Sequence, residues 1–227
     1  MLVKNWMSKD VITVAADDSM QNAIYLLQEK NIKILPVVDN GNLVGIITDR
    51  DLKRASPSDA TTLDMHELLF LISKIKIREL MKKPVHTVPL NFTIEEAAAI
   101  LLEKRISGLP VVDEDGRLAG IITRSDIFRL IISLTGFGKK GIQIALRIKD
   151  MPGPIKEVRE LVHEFNGRTA SIMTSGENAP DGYLNIYFRV YNIDRNRLPM
   201  LLEAVAKKGK LLYVVDHRDN TRTIYEG

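Results

Sequence analysis

The sequence predicts a fold of mixed α/β and α+β class, in which a duplicated α/β unit is followed by a ferredoxin-like βαββαβ domain. Two similar sequence segments predict the duplication: residues 35–51 are LPVVDNGNLVGIITDRD, and residues 109–126 are LPVVDEDGRLAGIITRSD. Both segments end in Thr-x-x-Asp. The order of strand-like and helix-like segments after residue 141 predicts the ferredoxin-like domain, because it matches the alternation of that fold.

The repeat extends to the N-terminal side of these segments. VKNWM (3–7) aligns with IRELM (77–81), and VITV (11–14) aligns with VHTV (85–88) as the predicted first strand of each copy. A helix is predicted next, because the apolar residues that follow have the i, i+4, i+7 spacing of one helical face. These residues are Met20, Ile24 and Leu27 in the first copy, and Ile94, Ala98 and Leu101 in the second.

A hairpin and a second helix complete each copy. The run PVVD suits a buried strand, the turns contain Gly41 and Gly116, and the runs LVGIIT and LAGIIT form the second strand. In the second copy, Thr93 and Glu96 have the spacing of a capping box at the start of the first helix. Because one such unit leaves a whole apolar sheet face exposed, the two copies are predicted to cover each other.

A helical linker is predicted between the copies. The helix covers Met65–Lys74, and the spacing of its apolar residues places Leu68, Leu69 and Ile72 on its buried face. The first copy is then assigned to residues 1–60, the linker to 61–76 and the second copy to 77–135.

The composition limits the classes of function. The 227 residues are 45% hydrophobic and 27% charged, with a net charge of +3 and no cysteine. Disulfides, thiolate nucleophiles and Cys-type zinc sites are therefore excluded, and the interspersed charges favour a solvated surface over a nucleic-acid interface. Since the sequence shows no signal-peptide core and no apolar run of ~18 residues, we expect a cytoplasmic protein without membrane or nucleic-acid partners.

The Thr-x-x-Asp endings, Thr48 with Asp51 and Thr123 with Asp126, have two interpretations. In the structural one, Thr caps the following helix and Asp forms a capping-box variant that also suits the helix dipole. In the functional one, the carboxylate accepts hydrogen bonds from the two hydroxyls of a ribose, while the Thr hydroxyl and nearby backbone N–H groups face ribose or phosphate. The residues alone leave both open.

The two copies resemble a pair of CBS motifs, the tandem arrangement called a Bateman module. The resemblance rests on the order and spacing of the elements and on the ending Gly-h-h-Thr-x-x-Asp, in which h is hydrophobic. The linker is also similar to that of acetoin-utilisation proteins of the AcuB type, which join a CBS pair to a C-terminal ACT-like domain. This resemblance implies a regulatory homodimer that binds AMP, ADP, ATP or S-adenosylmethionine, uses no other cofactor and has a link to acetoin utilisation.

The resemblance further implies two ligand clefts. Their lining residues would be Ile34, Pro36, Thr48, Arg50 and Asp51 in the first copy, and His86, Thr87, Gly108, Leu109, Pro110, Ile122, Thr123, Arg124 and Asp126 in the second, with His86 on its first strand. Gly108 would let a planar base approach the backbone, whereas Ile34 narrows its gap, so the second cleft is expected to be better formed. Candidate phosphate contacts, each also typical of a solvated surface, are Lys33, Arg50, Arg105 and Arg124.

The remaining third of the chain is predicted to form a separate domain. GFGKKG (136–141) fits G-x-G-x-x-G, but it follows a helical stretch and precedes a strand, so we predict a flexible basic hinge. The predicted elements are strand 142–149, a helix to about 166, strands 169–174 and 183–191, helix 195–207 and strand 211–215. This order defines a ferredoxin-like domain over 142–218 and a tail over 219–227.

The turn KDMPGPIKEV resembles the D-x-P-G entry of ACT domains, which often bind amino acids between two such domains. That resemblance implies a ligand turn formed by Asp150, Gly153 and Ile155. A carboxylate bound at a helix start needs free N–H donors, however, and Pro152 and Pro154 supply none. The alternative is an ACT-like domain that mediates dimerisation without a ligand.

No catalytic motif is found in the sequence. HELLF and HEFNG lack the second His of a zinc-protease motif, and neither a P-loop nor a G-x-S-x-G elbow occurs. The sequence therefore predicts a regulatory, ligand-sensing protein that is not an enzyme and that acts on an unidentified protein target. The alternative from another class is a structural dimerisation or adaptor protein without a small-molecule ligand.

Overall fold

The structure is a computed structural model that describes residues 1–56 and 65–225. The chain divides into two compact units, Met1–Phe128 and Arg129–Gly227. The first unit contains two three-stranded sheets, and the second contains a five-stranded sheet. The mixed α/β and α+β class predicted from the sequence is confirmed.

The first repeat has the predicted order of a strand, a helix, a hairpin and a second helix. Its elements are β1 (Val14–Ala15), α1 (Met20–Glu29), β2 (Ile34–Asp39), β3 (Asn42–Thr48) and α2 (Asp49–Ala55). β2 pairs in parallel with β1 and antiparallel with β3. Met20 of α1, Leu35 of β2 and Ile47 of β3 are fully buried in one cluster, so the apolar face of α1 packs on the sheet.

Two helices link the repeats: α3 (Met65–Lys74) has the predicted bounds, and α4 (Ile77–Leu80) follows it. Ile72 is buried in the core of the first repeat, as predicted, but Leu69 is 38% exposed, so its predicted burial is wrong. The reason is that α3 packs against α1 through a narrow stripe that includes Ile72. The side chain of Leu68 lies outside the described residues.

The second repeat has the same order of elements. They are β4 (Val88–Pro89), α5 (Ile94–Glu103), β5 (Gly108–Val112), β6 (Leu118–Thr123) and α6 (Arg124–Leu134). The predicted capping box of α5 is confirmed, because Thr93 and Glu96 exchange side chain–backbone hydrogen bonds of 2.7 and 3.2 Å. β4 is shorter than predicted, since only Val88 and Pro89 pair with β5. His86 therefore precedes the strand, and its predicted place on it is wrong.

Each repeat receives the segment that precedes the first strand of the other. Ser8 and Ile121 exchange backbone hydrogen bonds of 3.0 Å, which places the N-terminal segment beside β6. Lys82 and Ile46 exchange bonds of 2.8 and 3.3 Å, which places the segment after α4 beside β3. The contacts are reciprocal, as across a two-fold axis. We call residues 3–9 and 77–83 the exchanged segments.

Two glycines allow these segments to lie close to the hairpins. A Cβ atom on Gly45 of β3 would overlap the side chain of Met81, and a Cβ atom on Gly120 of β6 would overlap that of Met7. The aligned methionines thus occupy the space left by the aligned glycines of the opposite repeat. This packing is the physical reason why both copies contain Gly before Ile-Ile-Thr.

The second unit forms the predicted ferredoxin-like sheet with two helices. Its elements are β7 (Ile142–Lys149), α7 (Pro154–Glu164), β8 (Arg168–Ser175), β9 (Tyr183–Tyr191), α8 (Leu198–Ala206), β10 (Lys210–Asp216) and β11 (Thr221–Ile224). The strand order is β11-β10-β7-β9-β8, and all neighbours are antiparallel. One apolar cluster, which includes Ile144, Phe188 and Leu201, joins the sheet to the helices.

Two segments of this unit differ from the sequence-based expectation. Thr221–Ile224 lies in the expected tail, yet it pairs with β10 after a turn in which Asn220 has φ +52°. Its four residues are all exposed, so it lacks the apolar alternation that predicts a strand. Residues 136–141, the expected hinge, are packed on this unit: Phe137 lies edge-on to His217, with ring centroids 5.2 Å apart, and Gly141 is buried.

Candidate functional site

The first Thr-x-x-Asp sequence forms a capping box between β3 and α2. Thr48 is the extended N-cap residue, and the backbone N–H of Asp51 donates to its hydroxyl oxygen at 3.3 Å. In return, the Thr48 N–H and hydroxyl donate to Asp51 Oδ2 at 3.1 and 2.6 Å. The capping geometry that the structural interpretation requires is therefore present in the first repeat, and it does not exclude ligand binding.

The other oxygen of Asp51 contacts a residue from the opposite repeat. Lys82, in an exchanged segment, places its Nζ 2.6 Å from Asp51 Oδ1, while Asp51 itself is only 8% exposed. Burial alone would raise the pKa of this carboxyl, but hydrogen bonds from Lys82 and Thr48 outweigh that effect, and the net pKa lies below the usual Asp value. Asp51 is therefore a buried anion at neutral pH.

The second Thr-x-x-Asp sequence has the same local geometry. The Thr123 N–H and hydroxyl donate to Asp126 Oδ2 at 2.8 and 2.7 Å, and Asp126 is 3% exposed. The residue that corresponds to Lys82 is Ser8, since Ser8 pairs with Ile121 as Lys82 pairs with Ile46. The two sites thus share a buried aspartate but differ in the residue that the exchanged segment contributes.

The hairpins of the two repeats meet at Ile34 and Gly108. Ile34 is the cross-strand partner of Thr48, and Gly108 is the cross-strand partner of Thr123. A Cβ atom on Gly108 would lie 3.3 Å from both Ile34 Cδ1 and Thr123 Cγ2. Protein atoms therefore fill the side of Gly108 on which a Cβ would project, which corrects the expectation that a planar base approaches it there.

Some of the predicted lining residues belong to the core. Leu109 and Ile122 are cross-strand partners with 0% exposure. Successive side chains of a strand point to opposite faces, so Leu109 lies on the other face of β5 from Gly108 and Pro110. The side chains of Leu109 and Ile122 therefore belong to the core, and a contact of these two residues with a ligand stays a prediction for their backbone atoms. Pro36 and Pro110 are buried on equivalent strands.

The backbone amides at the start of α2 already have acceptors. Asp49 N–H donates to Lys33 O at 3.0 Å, Arg50 N–H donates to Asp49 Oδ1 at 2.9 Å, and Asp51 N–H donates to Thr48. A phosphate at this helix start would therefore depend on side chains rather than on these three amides. Arg50, Lys82 and Lys33 are exposed cations at this end of β3.

The remaining predicted residues lie on the surface. His86, Thr87 and Arg124 are exposed, and Arg124 Nη2 donates to Leu101 O at 3.4 Å. Thr87 lines a groove of about 400 Å³ together with Leu43, at the start of β3. Thr48 of the first site is at the other end of that strand, ~16 Å away at 3.3 Å per residue; the predicted place of Thr87 in the second cleft stays a prediction.

The sequence analysis did not identify Lys82 as a site residue. Lys82 stands in the pair Lys82-Lys83, and such pairs are usually solvated. Its alignment with Ser8 offered the only signal, and that signal has meaning only once the segment exchange is known. The contact depends on non-local pairing, which a local pattern does not reveal.

The turn before α7 has a different geometry. Gly153 is the N-cap residue with φ +116°, it provides no side-chain cap, and Pro154 follows it. Asp150 is exposed, and its backbone N–H donates to Gly182 O at 2.9 Å. Ile155 packs against the core of the second unit rather than into the turn. The structure therefore does not gather the side chains of Asp150 and Ile155 at the Gly153 turn.

The described residues contain neither a metal site nor a membrane-spanning helix. Within 1–56 and 65–225, no group of three or more His, Asp or Glu side chains could hold a metal ion. In the same ranges, every helix is too short or too polar to cross a bilayer.

Comparison with known proteins identifies the first unit. The model of the CBS domain family matches residues 3–58 and 77–133. A CBS domain-containing protein of Dictyostelium discoideum is 39% identical over 135 residues, which are 59% of this chain and 93% of that protein. A crystal structure described as a candidate acetoin utilization protein (AcuB) from Vibrio cholerae is 28% identical, with a TM-score of 0.51, and the match covers 62% of this chain and 96% of that one.

Some relatives are much longer proteins. Inosine-5′-monophosphate dehydrogenase of Methanocaldococcus jannaschii is 39% identical over 122 residues, which are 53% of this chain but only 22% of the dehydrogenase. The similarity therefore concerns a module of that enzyme.

Proposed function

The chain belongs to the CBS domain family, and on that premise we propose that its two repeats bind an adenosine-containing ligand and act as a regulatory sensor. The observation that carries the proposal is the burial of Asp51 and Asp126, which are 8% and 3% exposed. Burying a carboxylate costs free energy unless it is paired. Helix capping does not require that cost, because Glu96 makes the same capping box with an exposed side chain.

The chemistry of the first site suits a ribose. Asp51 Oδ2 is occupied by the capping hydrogen bonds, whereas Oδ1 contacts the ammonium of Lys82, whose side chain is 57% exposed. A ribose hydroxyl can replace the ammonium at Oδ1, and the freed ammonium can then bind a ligand phosphate. AMP, ADP, ATP and S-adenosylmethionine carry the required ribose, and the first three also carry the phosphate.

The regulatory mechanism that we propose is a population shift. Each site combines a Thr-x-x-Asp sequence from one repeat with an exchanged segment from the other, as Asp51 and Lys82 do. A ligand that contacts both parts stabilises one arrangement of the repeats in proportion to its differential affinity. The second unit, which we propose to be ACT-like, would pass this change to a protein target.

The assembly and the biological context follow as further parts of the proposal. We expect a homodimer, because CBS pairs and ACT-like sheets both present self-complementary faces. Light scattering at micromolar concentration should then give about twice the 25.6 kDa chain mass. The similarity to the AcuB structure supports a role in acetoin utilisation. The absence of a catalytic motif supports a non-enzymatic role.

A melting-temperature screen tests the sensor against the alternative of a structural adaptor. The full chain would be heated with AMP, ADP, ATP or S-adenosylmethionine, and with ribose 5-phosphate as a control that lacks adenine. A ligand at 100 times its Kd stabilises the folded state by about 2.7 kcal/mol per site, so the melting temperature should rise by several degrees. A flat response to all four adenosine compounds would refute the sensor.

A further inference from the structure

The second unit contains a cavity of about 700 Å³ beside the turn that precedes α7. This volume lies in the range of about 300–1,000 Å³ that is typical of small-molecule sites. Three elements line the cavity: the end of β7, the start of β9 and the loop between α8 and β10. All three belong to one ferredoxin-like sheet and its connections.

Positive charge dominates the cavity wall. Its basic residues are Arg147, Lys149, Lys207, Lys208 and Lys210, and none of the described acidic residues lines it. Lys208 has an acidic partner at the edge, because its Nζ lies 2.8 Å from Glu157 Oε2. Within the described part of the chain, the hydrogen bonds of the Arg147 side chain go to neutral groups: Nε donates to Asn185 Oδ1 and Nη2 to Asn178 O, both at 3.0 Å. Within residues 65–225, Lys149, Lys207 and Lys210 form no salt bridge.

Close backbone packing brings together the two segments that carry these basic residues, the end of β7 and the loop between α8 and β10. A Cβ atom on Gly209 would lie 2.6 Å from the Arg147 carbonyl oxygen, so only glycine lets the Lys-Lys-Gly-Lys loop lie against β7. Arg147 is fixed from the other side by Asn185, which is 4% exposed. Five basic residues carried by these segments therefore line one cavity, and an anion bound there would reduce the repulsion between them.

From these contacts we propose that the cavity binds an organic phosphate, that is, a multiply charged anion attached to an apolar body. Several ammonium groups suit a phosphate, which carries about −1.5 to −2 charges at pH 7 and which lysines bind as point charges. The remaining wall includes Met151, Pro154 and Pro180, which suit the apolar part of the ligand. A zwitterionic amino acid fits less well, because its ammonium would find no carboxylate in the wall.

Calorimetric titration of the full chain with phenyl phosphate tests this site, because phenyl phosphate has the charge and the apolar body but no adenosine. We expect saturable binding at one site per chain, with an affinity that falls as salt is added. Benzoate has the same ring with one charge and should bind at least tenfold more weakly. Phenylalanine should give no saturable heat.

Matched variants locate the binding. Lys149→Met together with Lys210→Met should weaken phenyl phosphate binding at least tenfold. Lys156→Met should change it less than twofold, because Lys156 lies on α7, outside the cavity wall, and pairs with Glu160. Asp51→Ala with Asp126→Ala should leave it unchanged, which separates this site from the proposed nucleotide sites. The proposal is overturned by no saturable binding, by binding that survives the double lysine variant, or by phenylalanine binding as tightly as phenyl phosphate.

Discussion

The two Thr-x-x-Asp sites are built on one backbone plan, but the exchanged segments contribute different side chains to them. Asp51 and Asp126 are both buried and both accept hydrogen bonds from the preceding Thr. The exchanged segment supplies Lys82 to the first site and Ser8 to the equivalent position of the second. The duplication thus preserves the capping geometry, while the residue that distinguishes the sites comes from the opposite repeat.

A second difference lies where the hairpins meet. Ile34 and Gly108 occupy equivalent strand positions, yet they contact each other across the repeats. Two isoleucines would overlap at this contact and two glycines would leave a gap, because protein interiors are close-packed. A large residue in one repeat therefore requires a small one in the other. The asymmetry that the sequence suggested as a difference between clefts is first of all a packing requirement.

The largest expected effect concerns the exchanged segment itself. Ile77 belongs to the exchanged segment 77–83 and is buried in the core of the first repeat, with 0% exposure. Ile77→Ala should therefore destabilise the first unit by about 2–5 kcal/mol. Urea unfolding followed by the fluorescence of Trp6, the single tryptophan, measures this loss. Trp6 lies in the other exchanged segment, so its signal reports on unfolding of the paired repeats.

Leu71→Ala is the control for this experiment, because Leu71 is 44% exposed and its loss should cost less than 1 kcal/mol, as exposed positions usually do. An unchanged Trp6 transition in Ile77→Ala would contradict the view that the exchanged segments join the repeats into one cooperative unit.

The sequence was sufficient for the elements that depend on local patterns. The helix Met65–Lys74 and the strands Ile142–Lys149 and Tyr183–Tyr191 have the predicted bounds, because their apolar spacing and turn residues are unambiguous. The strand Thr221–Ile224 was missed because every residue in it is exposed, so the alternation of apolar and polar residues that predicts a strand is absent. Its extended conformation is instead stabilised by backbone hydrogen bonds with β10.

The site was predicted less completely than the fold. Thr48 and Asp51 were found because capping has a local spacing, whereas Lys82 was missed because it reaches Asp51 only through the segment exchange. Leu109 and Ile122 were named as lining residues without regard to the alternation of a strand, which places their side chains in the core. Their contact with a ligand, through backbone atoms, stays a prediction.

The next effect separates capping from ligand binding at the two aspartates. Asp51→Ala and Asp126→Ala should each cost about 0.5–1 kcal/mol without ligand, and each should abolish the ligand-induced stabilisation from its own site, about 2.7 kcal/mol at 100 times Kd. Melting of each variant with and without AMP measures both quantities. Glu96→Ala is the control, because it removes an exposed capping box and should leave the AMP response intact. If both aspartate variants keep the full AMP response, Asp51 and Asp126 act only as helix caps and do not bind the ligand.

A smaller effect concerns Lys82 and Ser8. The pKa of Asp51 lies below its usual value because hydrogen bonds from Lys82 and Thr48 outweigh burial. The stability that this contributes is present above the unfolded pKa of about 3.9 and is lost as pH falls through the folded pKa. Lys82→Met should raise the Asp51 pKa, so the variant should lose stability at a higher pH than the wild type. The difference at pH 7 should be at most ~1 kcal/mol, since Lys82 is half-exposed.

Urea unfolding at pH 7 and at a series of pH values below about 3.9 checks this sign, because the two proteins should converge only once the pH falls below the folded pKa of Asp51. The reciprocal change, Ser8→Lys, places an ammonium in the equivalent position beside β6. It should strengthen the binding of AMP relative to adenosine at the second site, whereas Lys82→Met should weaken AMP relative to adenosine at the first. Equal losses for AMP and adenosine in Lys82→Met would show that Lys82 does not bind the phosphate.

The smallest effect tests the packing of Ile34 on Gly108. A methyl group on Gly108 would be 3.3 Å from Ile34 Cδ1, so Gly108→Ala requires a slight shift of the Ile34 side chain. The variant also lowers the conformational entropy of the unfolded chain, which stabilises the folded state by about 0.4–1 kcal/mol and offsets part of that cost. The net loss should be below ~1 kcal/mol. Ile34→Val removes Cδ1 and alone should cost about 0.5–1.5 kcal/mol. In the double variant the methyl group fills the space that Cδ1 leaves, so the combined loss should be smaller than the sum of the single losses by ~0.5 kcal/mol or more. Strict additivity would mean that the two residues do not compensate for each other, and the asymmetry between the repeats would then need a cause in ligand binding rather than in packing.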